Sequence, residues 1–212
     1  MKNGSLQLAV VGTMQTNCYL LTNTETKETL IVDPGDSGER IAAYCLQEQL
    51  RPRAILLTHG HFDHISGVKA IVDAFRVPVY AAAAEEVLLA EPGMNLSAKF
   101  QGYSVSLVPD VLLTDEEEFS LAGFASKAIL TPGHTVGGMS YYLAEEGIVF
   151  SGDTLFRHTY GRTDLPTSSF EELRHSLKEK LFMLPEDTEV LPGHGNATTI
   201  WEERRRNPIL GD

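Results

Sequence analysis

Residues 56–67 read L-L-T-H-G-H-F-D-H-I-S-G and place three of the chain's seven histidines and an aspartate within the six positions from His59 to His64. The preceding residues are apolar and strand-like. His59 and His61 are two apart, so on an extended backbone both imidazoles project to one side. They can share one divalent ion, at bonds of about 2.0–2.1 Å if it is zinc. Asp63 and His64 follow as the chain turns toward a helix; they point elsewhere and suit a second ion. Gly60 and Phe62 fill the alternate positions, where an absent or bulky side chain lets the backbone fold tightly.

One cluster does not complete two coordination spheres, and the rest of the sequence repeats the setting. A-I-L-T-P-G-H-T supplies His134, I-V-F-S-G-D-T supplies Asp153 and E-V-L-P-G-H-G supplies His194, each just beyond an apolar strand and a glycine. A lone histidine after a strand is more often a surface or core residue, but three matched contexts support one another. Strand ends on one edge of a packed structure converge, and sites favour such edges. His175 lies on a helix away from its apolar stripe and is expected to be exposed. His158 is expected to serve its loop.

Around these motifs the chain alternates strands and helices. Strands are expected near 6–11, 17–21, 29–32, 53–57, 78–80, 118–121, 126–130, 138–143, 148–150 and 189–191, with a hairpin connector at 23–28. Helices are expected over 37–50, 65–75, 83–90, 170–181 and 198–206. Phe170, Leu173, Leu177 and Leu181 form the apolar stripe of the fourth helix, and Ser168 with Glu171 gives a capping-box signal. The acidic run 115–118 reads as a solvated turn. No linker or low-complexity tract divides the 212 residues, so a single domain over 1–212 is expected.

Composition narrows the class. A hydrophobic fraction of 42% and a charged fraction of 22% are ordinary for a soluble globular protein. The formal charge of -12 argues against nucleic acid as a partner. Cys18 and Cys45 make no disulfide framework or Cys-x-x-Cys pair and read as buried packing residues. Without a signal-peptide pattern or a membrane-length apolar run, a cytoplasmic location and no membrane partner are expected. Nothing in the sequence sets the oligomeric state.

T-H-G-H-F-D-H, T-P-G-H-T, S-G-D-T-L-F and L-P-G-H-G together resemble the metallo-β-lactamase-fold superfamily. N-C-Y-L-L, I-V-D-P-G and T-T-I-W-E-E-R-R-R-N-P-I-L extend the similarity over nearly the whole chain and resemble its glyoxalase II group, the hydroxyacylglutathione hydrolase-like thioesterases. The resemblance implies an α/β fold, a four-layer αββα sandwich with two metals at one edge. Carried over by position, His59, His61 and His134 would hold the first ion and Asp63, His64 and His194 the second, with Asp153 bridging. Zinc is the expected metal, with iron or manganese as alternatives. The stretch from Gly195 to Asp212 is too short for the C-terminal helical region with which glutathione-using members hold the thiol. H-T-Y-G-R-T-D-L-P instead resembles the shorter bacterial members. Asp153 stands where the best-known zinc β-lactamases have a cysteine, which speaks against antibiotic hydrolysis.

The implied reaction is attack of a metal-bound hydroxide on a small-molecule thioester, the ions lowering the pKa of their water from ~15.7 to about 7. Asp63 and Asp153 are the expected catalytic carboxylates, and no G-x-S-x-G nucleophile elbow competes with them. Arg157, Tyr160 and Arg162 follow Asp153 where substrate could meet them, although Arg162 can equally pair with Asp164. Asp33 either supports a ligand or caps its turn, and Arg204–Arg206 read as a solvated helix face. The rival within the fold is a persulfide dioxygenase using one iron on the equivalents of His59, His134 and Asp153. A nuclease or a decayed scaffold would need a nucleic-acid insertion or lost ligands, and neither is present.

Overall fold

In the segment L-I-V, Leu30 to Val32, every residue is apolar, with Leu30 and Val32 facing one way and Ile31 the other. Such a strand must be covered on both faces. The computed structural model, which describes residues 4–100 and 104–211, shows how. The first half forms strands β1 (Gly4–Val11), β2 (Thr16–Asn23), β3 (Glu28–Val32), β4 (Arg51–Leu56), β5 (Val79–Ala82) and β6 (Val111–Leu113). They lie in that spatial order in one sheet, antiparallel from β1 to β3 and parallel from β3 to β6. The second half supplies β7 (Glu118–Leu121), β8 (Phe124–Leu130), β9 (Met139–Leu143), β10 (Ile148–Gly152), a small hairpin of β11 (Leu155–Phe156) and β12 (Thr159–Tyr160), then β13 (Glu189–Pro192) and β14 (Thr198–Thr199). The second sheet runs β14-β13-β10-β9-β8-β7, with only β10 and β13 parallel.

Period-two alternation sorts the apolar residues into three cores. Leu30, Val32, Ala54 and Leu56 of the first sheet meet Tyr141, Ile148, Phe150 and Leu191 of the second in the central core. Their neighbours Ile31 and Ile55 turn outward, against Ile41 and Cys45 of α1 (Gly38–Gln47) and Val68 and Ile71 of α3 (Val68–Phe75). On the far side Val149 and Val190 meet Leu173 of α6 (Phe170–His175), Leu177 and Leu181 of its continuation, and Ile200 of α7 (Ile200–Arg206). Three apolar interfaces between four layers give the αββα order. The short helices α2 (Phe62–Ile65), α4 (Glu86–Ala90) and α5 (Ser97–Phe100) belong to the loops at one edge.

Several element boundaries differ from the sequence expectation, each for a local reason. The expected helix over 65–75 is two helices: Ser66 and Gly67 keep right-handed helical angles, but the Gly67 N–H donates to Pro34 O at 2.8 Å instead of into the helix. The fourth helix is capped one residue later than expected: the Ser169 hydroxyl accepts from the Glu172 N–H. Beyond His175 it widens into a π turn over Ser176–Lys180, which keeps Leu177 and Leu181 on the buried stripe. Thr198–Thr199 pairs with β13 instead of opening the last helix, and β6 is an added edge strand. The 115–118 turn is solvated as expected, with Asp115 held by Lys180 at 2.7 Å. Cys18 and Cys45 are buried free thiols, and burial pushes Cys45 up to about 11.

Candidate metal centre

The histidine-rich loop leaves β4 at the edge where the two sheets meet, and Asp33 is why it turns there. Its carboxylate accepts from the Thr58 N–H at 2.8 Å and the Thr58 hydroxyl at 2.6 Å, and it lies 2.9 Å from His64 Nδ1. One buried side chain thus fixes both ends of T-H-G-H-F-D-H and the orientation of the His64 ring. Asp33 supports a candidate ligand, which resolves the two roles its turn position allowed.

The second sheet brings the remaining candidates to the same point. His134 follows β8, Asp153 follows β10 and His194 follows β13. His134 is oriented by its Nδ1, 2.9 Å from Arg162 O, which leaves Nε2 facing inward. The His194 loop is tied to the first sheet: Asn17 donates through its side chain to Pro192 O and Gly195 O, both at 2.9 Å, and its N–H donates to Gly193 O at 2.7 Å. The Tyr19 hydroxyl adds a bond to Pro192 O at 2.8 Å. Gly193 must lack a side chain, since a Cβ there would lie 2.2 Å from Asp153 Oδ1 and 2.7 Å from His64 Cε1. Gly152, at φ 51°, likewise lets the strand pass Thr58, whose hydroxyl a Cβ would meet at 2.3 Å.

All seven predicted side chains converge. His59, His61 and His134 form a first trio and Asp63, His64 and His194 a second; within each, the ligand atoms lie within 4.8 Å of one another. Asp153 stands between them, with Oδ2 3.6 Å from His134 Nε2 and 3.5 Å from His194 Nε2. His61 Nδ1 and His134 Nε2 face each other at 3.0 Å, and His194 Nε2 is 3.3 Å from Asp63 Oδ2. The Thr16 hydroxyl donates to that Asp63 oxygen at 3.2 Å.

The trios differ electrostatically. Burial drives His61 down to about 3, with His134 beside it acting in the same direction. Burial also pushes His59 well below its ordinary value, helped by His64. For His64 burial again disfavours the charge, but Asp153, Asp33 and Asp63 prevail and raise it well above the usual range. His194 is raised against burial by its bond to Asp63 and the charge of Asp153. Both Asp153 and Asp63 are lowered despite burial, chiefly by His64.

This donor set fits divalent cations. His59 Nε2, His61 Nε2 and Asp153 Oδ1 are buried without a hydrogen-bond partner. A buried polar atom left so costs about 1–3 kcal/mol, which an ion would relieve. Imidazole nitrogen with carboxylate oxygen suits zinc, iron or manganese. Above the cluster a cavity of about 500 Å³ opens, lined by Tyr160 and Arg162 among others. Arg157 does not line it: that side chain lies in a separate groove with Thr199 and Glu202. His158 is exposed and lies 2.8 Å from Glu202, and His175 is exposed. Arg204, Arg205 and Arg206 pair with Glu186 or Glu202 on α7.

Sequence reasoning passed over Glu85, Asn17 and Tyr19. Glu85 is buried and accepts from the Gly60 N–H at 2.9 Å and the Gly137 N–H at 2.7 Å, joining the loop of His59 and His61 to that of His134. Burial raises its pKa against those bonds. Nothing in A-A-A-A-E-E marks this residue. Asn17 did carry a signal, being a buried amide directly before the buried run Cys18 to Leu21.

The model of the metallo-beta-lactamase superfamily matches residues 11–194, a span containing every residue of the cluster. The chain is 40% identical over 201 residues to a probable metallo-hydrolase, YqgX of Bacillus subtilis, covering 94% of each. It is 33% identical to the hydroxyacylglutathione hydrolase GloC of Haemophilus influenzae, over 97% of this chain and 98% of that one. Among solved structures, the B3 metallo-beta-lactamase BLEG-1 superposes with a TM-score of 0.93 at 41% identity, covering 98% of this chain and 100% of that one. A di-iron-bound form of TTHA1623 gives 0.83 at 38% identity, with 95% and 98% covered. The layered sheets, the edge they share and these matches agree, and the chain belongs to the metallo-beta-lactamase superfamily.

Proposed function

We propose that the chain is a two-metal hydrolase that cleaves hydroxyacyl thioesters, in the manner of glyoxalase II. The observation that carries this reading is the meeting of seven His and Asp side chains, three of whose atoms are buried without partners. His59, His61 and His134 would hold one ion and Asp63, His64 and His194 the other, with Asp153 within reach of both groups. Zinc or iron fits these donors. The likeness to a hydroxyacylglutathione hydrolase supports the thioester, and the likeness to a probable metallo-hydrolase supports hydrolysis in general.

Bound divalent ions lower the pKa of water and polarise a carbonyl. The chain's own groups do the rest. The Asp63 carboxylate, anchored by Thr16, accepts the proton of the attacking water. Asp33 and the Arg162 carbonyl keep the His64 and His134 rings from rotating. A departing thiolate needs little acid help, and none of the seven residues has to supply a proton to it. Among the described residues no helix is long and apolar enough to cross a membrane. A cytoplasmic site of action and a small-molecule partner, without nucleic acid, complete the reading, supported by the free thiols and the charge of -12.

The test is elemental analysis of purified protein beside an assay with lactoyl thioesters. Two ions per chain and hydrolysis abolished by chelation are expected. One iron per chain with oxygen uptake would favour the dioxygenase instead. A second reading, β-lactam hydrolysis, draws support from the likeness to BLEG-1. Turnover of a penicillin or cephalosporin at rates above those for thioesters would favour it.

A further inference from the structure

The wall of the cavity is more one-sided than its floor. Apart from the candidate ligands it is built largely of Met14, Phe62, Leu96, Phe100, Phe156 and Leu165. Phe62 and Phe100 stack with ring centroids 5.7 Å apart. Met14 and Phe100, at the rim, are 52% and 58% exposed. Large apolar side chains gathered at a rim mark a surface that a ligand covers.

Cations are scarce there. Among the described residues Arg162 is the one Lys or Arg of the lining, and its guanidinium is engaged by Asp164 through two bonds of 2.6 and 2.7 Å. Lys99 stands outside the lining, its amino group 5.2 Å from the Phe100 ring centroid. The residues after His194 do not contribute a basic wall: α7 packs through Ile200 on the outer face of the second sheet, in another layer. A carbonyl or a short hydroxyacyl group finds its partners at the metal floor. A thiol carrier with several phosphates or carboxylates finds no matching charges along the wall, in a chain of formal charge -12.

The geometry points to a substrate whose thiol arm is short, uncharged and apolar, lying along the Phe62–Phe100 wall, while the acyl carbonyl reaches the floor. This inference rests on the thioesterase reading and adds the class of thiol. Polyanionic carriers are poor substrates.

The experiment compares lactoyl esters of ethanethiol, butanethiol and hexanethiol with lactoylglutathione and lactoyl-coenzyme A, using metal-loaded protein. Alkanethiols differ little as leaving groups, so the series reads the wall and not the chemistry. At ~0.8 kcal/mol per buried methylene, kcat/KM should rise about fourfold for each one added until the cavity is filled. Both anionic carriers should fall below the butyl ester. Phe100→Ser should flatten the dependence on chain length. Equal rates along the series, or preference for glutathione or coenzyme A over the butyl ester, would overturn the inference while leaving the thioesterase intact. If no thioester is hydrolysed, the thioesterase reading falls. Calorimetric titration with the non-hydrolysable hexyl and ethyl thioethers then decides the wall, tighter hexyl binding sustaining it and equal binding overturning it.

Discussion

The two trios lie side by side yet differ in what holds them and in what charge they carry. The first is made of imidazoles alone, and burial keeps His59 and His61 uncharged. The second mixes imidazoles with a carboxylate, and in the absence of metal His64 and His194 hold their protons to higher pH than a free imidazole. His59 and His61 therefore offer their lone pairs to a cation at lower pH than His64 and His194, which must first release protons. Supporting residues divide in part: Glu85 ties together the loops of the first trio, whereas Asp33 bonds the His64 ring of the second directly and reaches the first only through Thr58. One centre thus contains two sites of unequal proton linkage.

The harshest way to break this comparison is His59→Ala, since His59 borders both the first trio and the Asp153–His64 pair. Loss of an ion's stabilisation of the transition state is worth several kcal/mol, so thioester kcat/KM should fall at least ~10³-fold. Circular dichroism and the melting temperature of the metal-free protein should change little. Near-normal turnover would sink the site.

Lowering the pH sharpens the difference. A raised pKa means the proton is held at higher pH, so His64 and His194 compete with metal before His59 and His61 do; His61 competes only near pH 3. With one decade per displaced proton, affinity at the second site should drop on the order of 100-fold per pH unit once both rings protonate. Equilibrium dialysis through mildly acidic pH should show one ion leaving ahead of the other. Simultaneous loss would erase the distinction.

Smaller effects separate the supports. Asp33→Ala should weaken the second ion by about 10–100-fold, the range for residues that orient a metal ligand. Glu85→Gln keeps an acceptor for one loop but turns an amide N–H₂ toward the other. It should weaken the first ion by roughly tenfold, at the low end of that range. Competition against a chelator distinguishes the two variants, and the same ion lost in both would contradict the division. His158→Gln, on the exposed contact to Glu202, should leave metal content and melting temperature unchanged.

Much of this was legible because it is local. The segment from His59 to His64 announces a metal by density, and its two-residue spacing settles which rings share a side. His134, Asp153 and His194 are dispersed, and became readable only through the repeated strand-glycine-ligand setting. The four layers were legible through the resemblance these motifs carry, and strands apolar on both faces, such as Leu30-Ile31-Val32, fit them. What escaped depends on contacts between distant segments. Glu85 looks like any acidic residue of a short helix until Gly60 and Gly137 come within reach. Arg157 was grouped with Tyr160 and Arg162 by proximity in sequence. The β11–β12 hairpin separates them, leaving Arg157 in another groove. The helix over 65–75 broke because one N–H found Pro34, which apolar periodicity does not record.

The most direct measurement is anomalous diffraction at the metal absorption edge from crystals of metal-loaded protein. Two peaks about 3.5–4 Å apart are expected, one among His59, His61 and His134, the other among Asp63, His64 and His194, with Asp153 touching both. A single peak at full loading, or a pair that leaves out His134 or His194, would contradict the account.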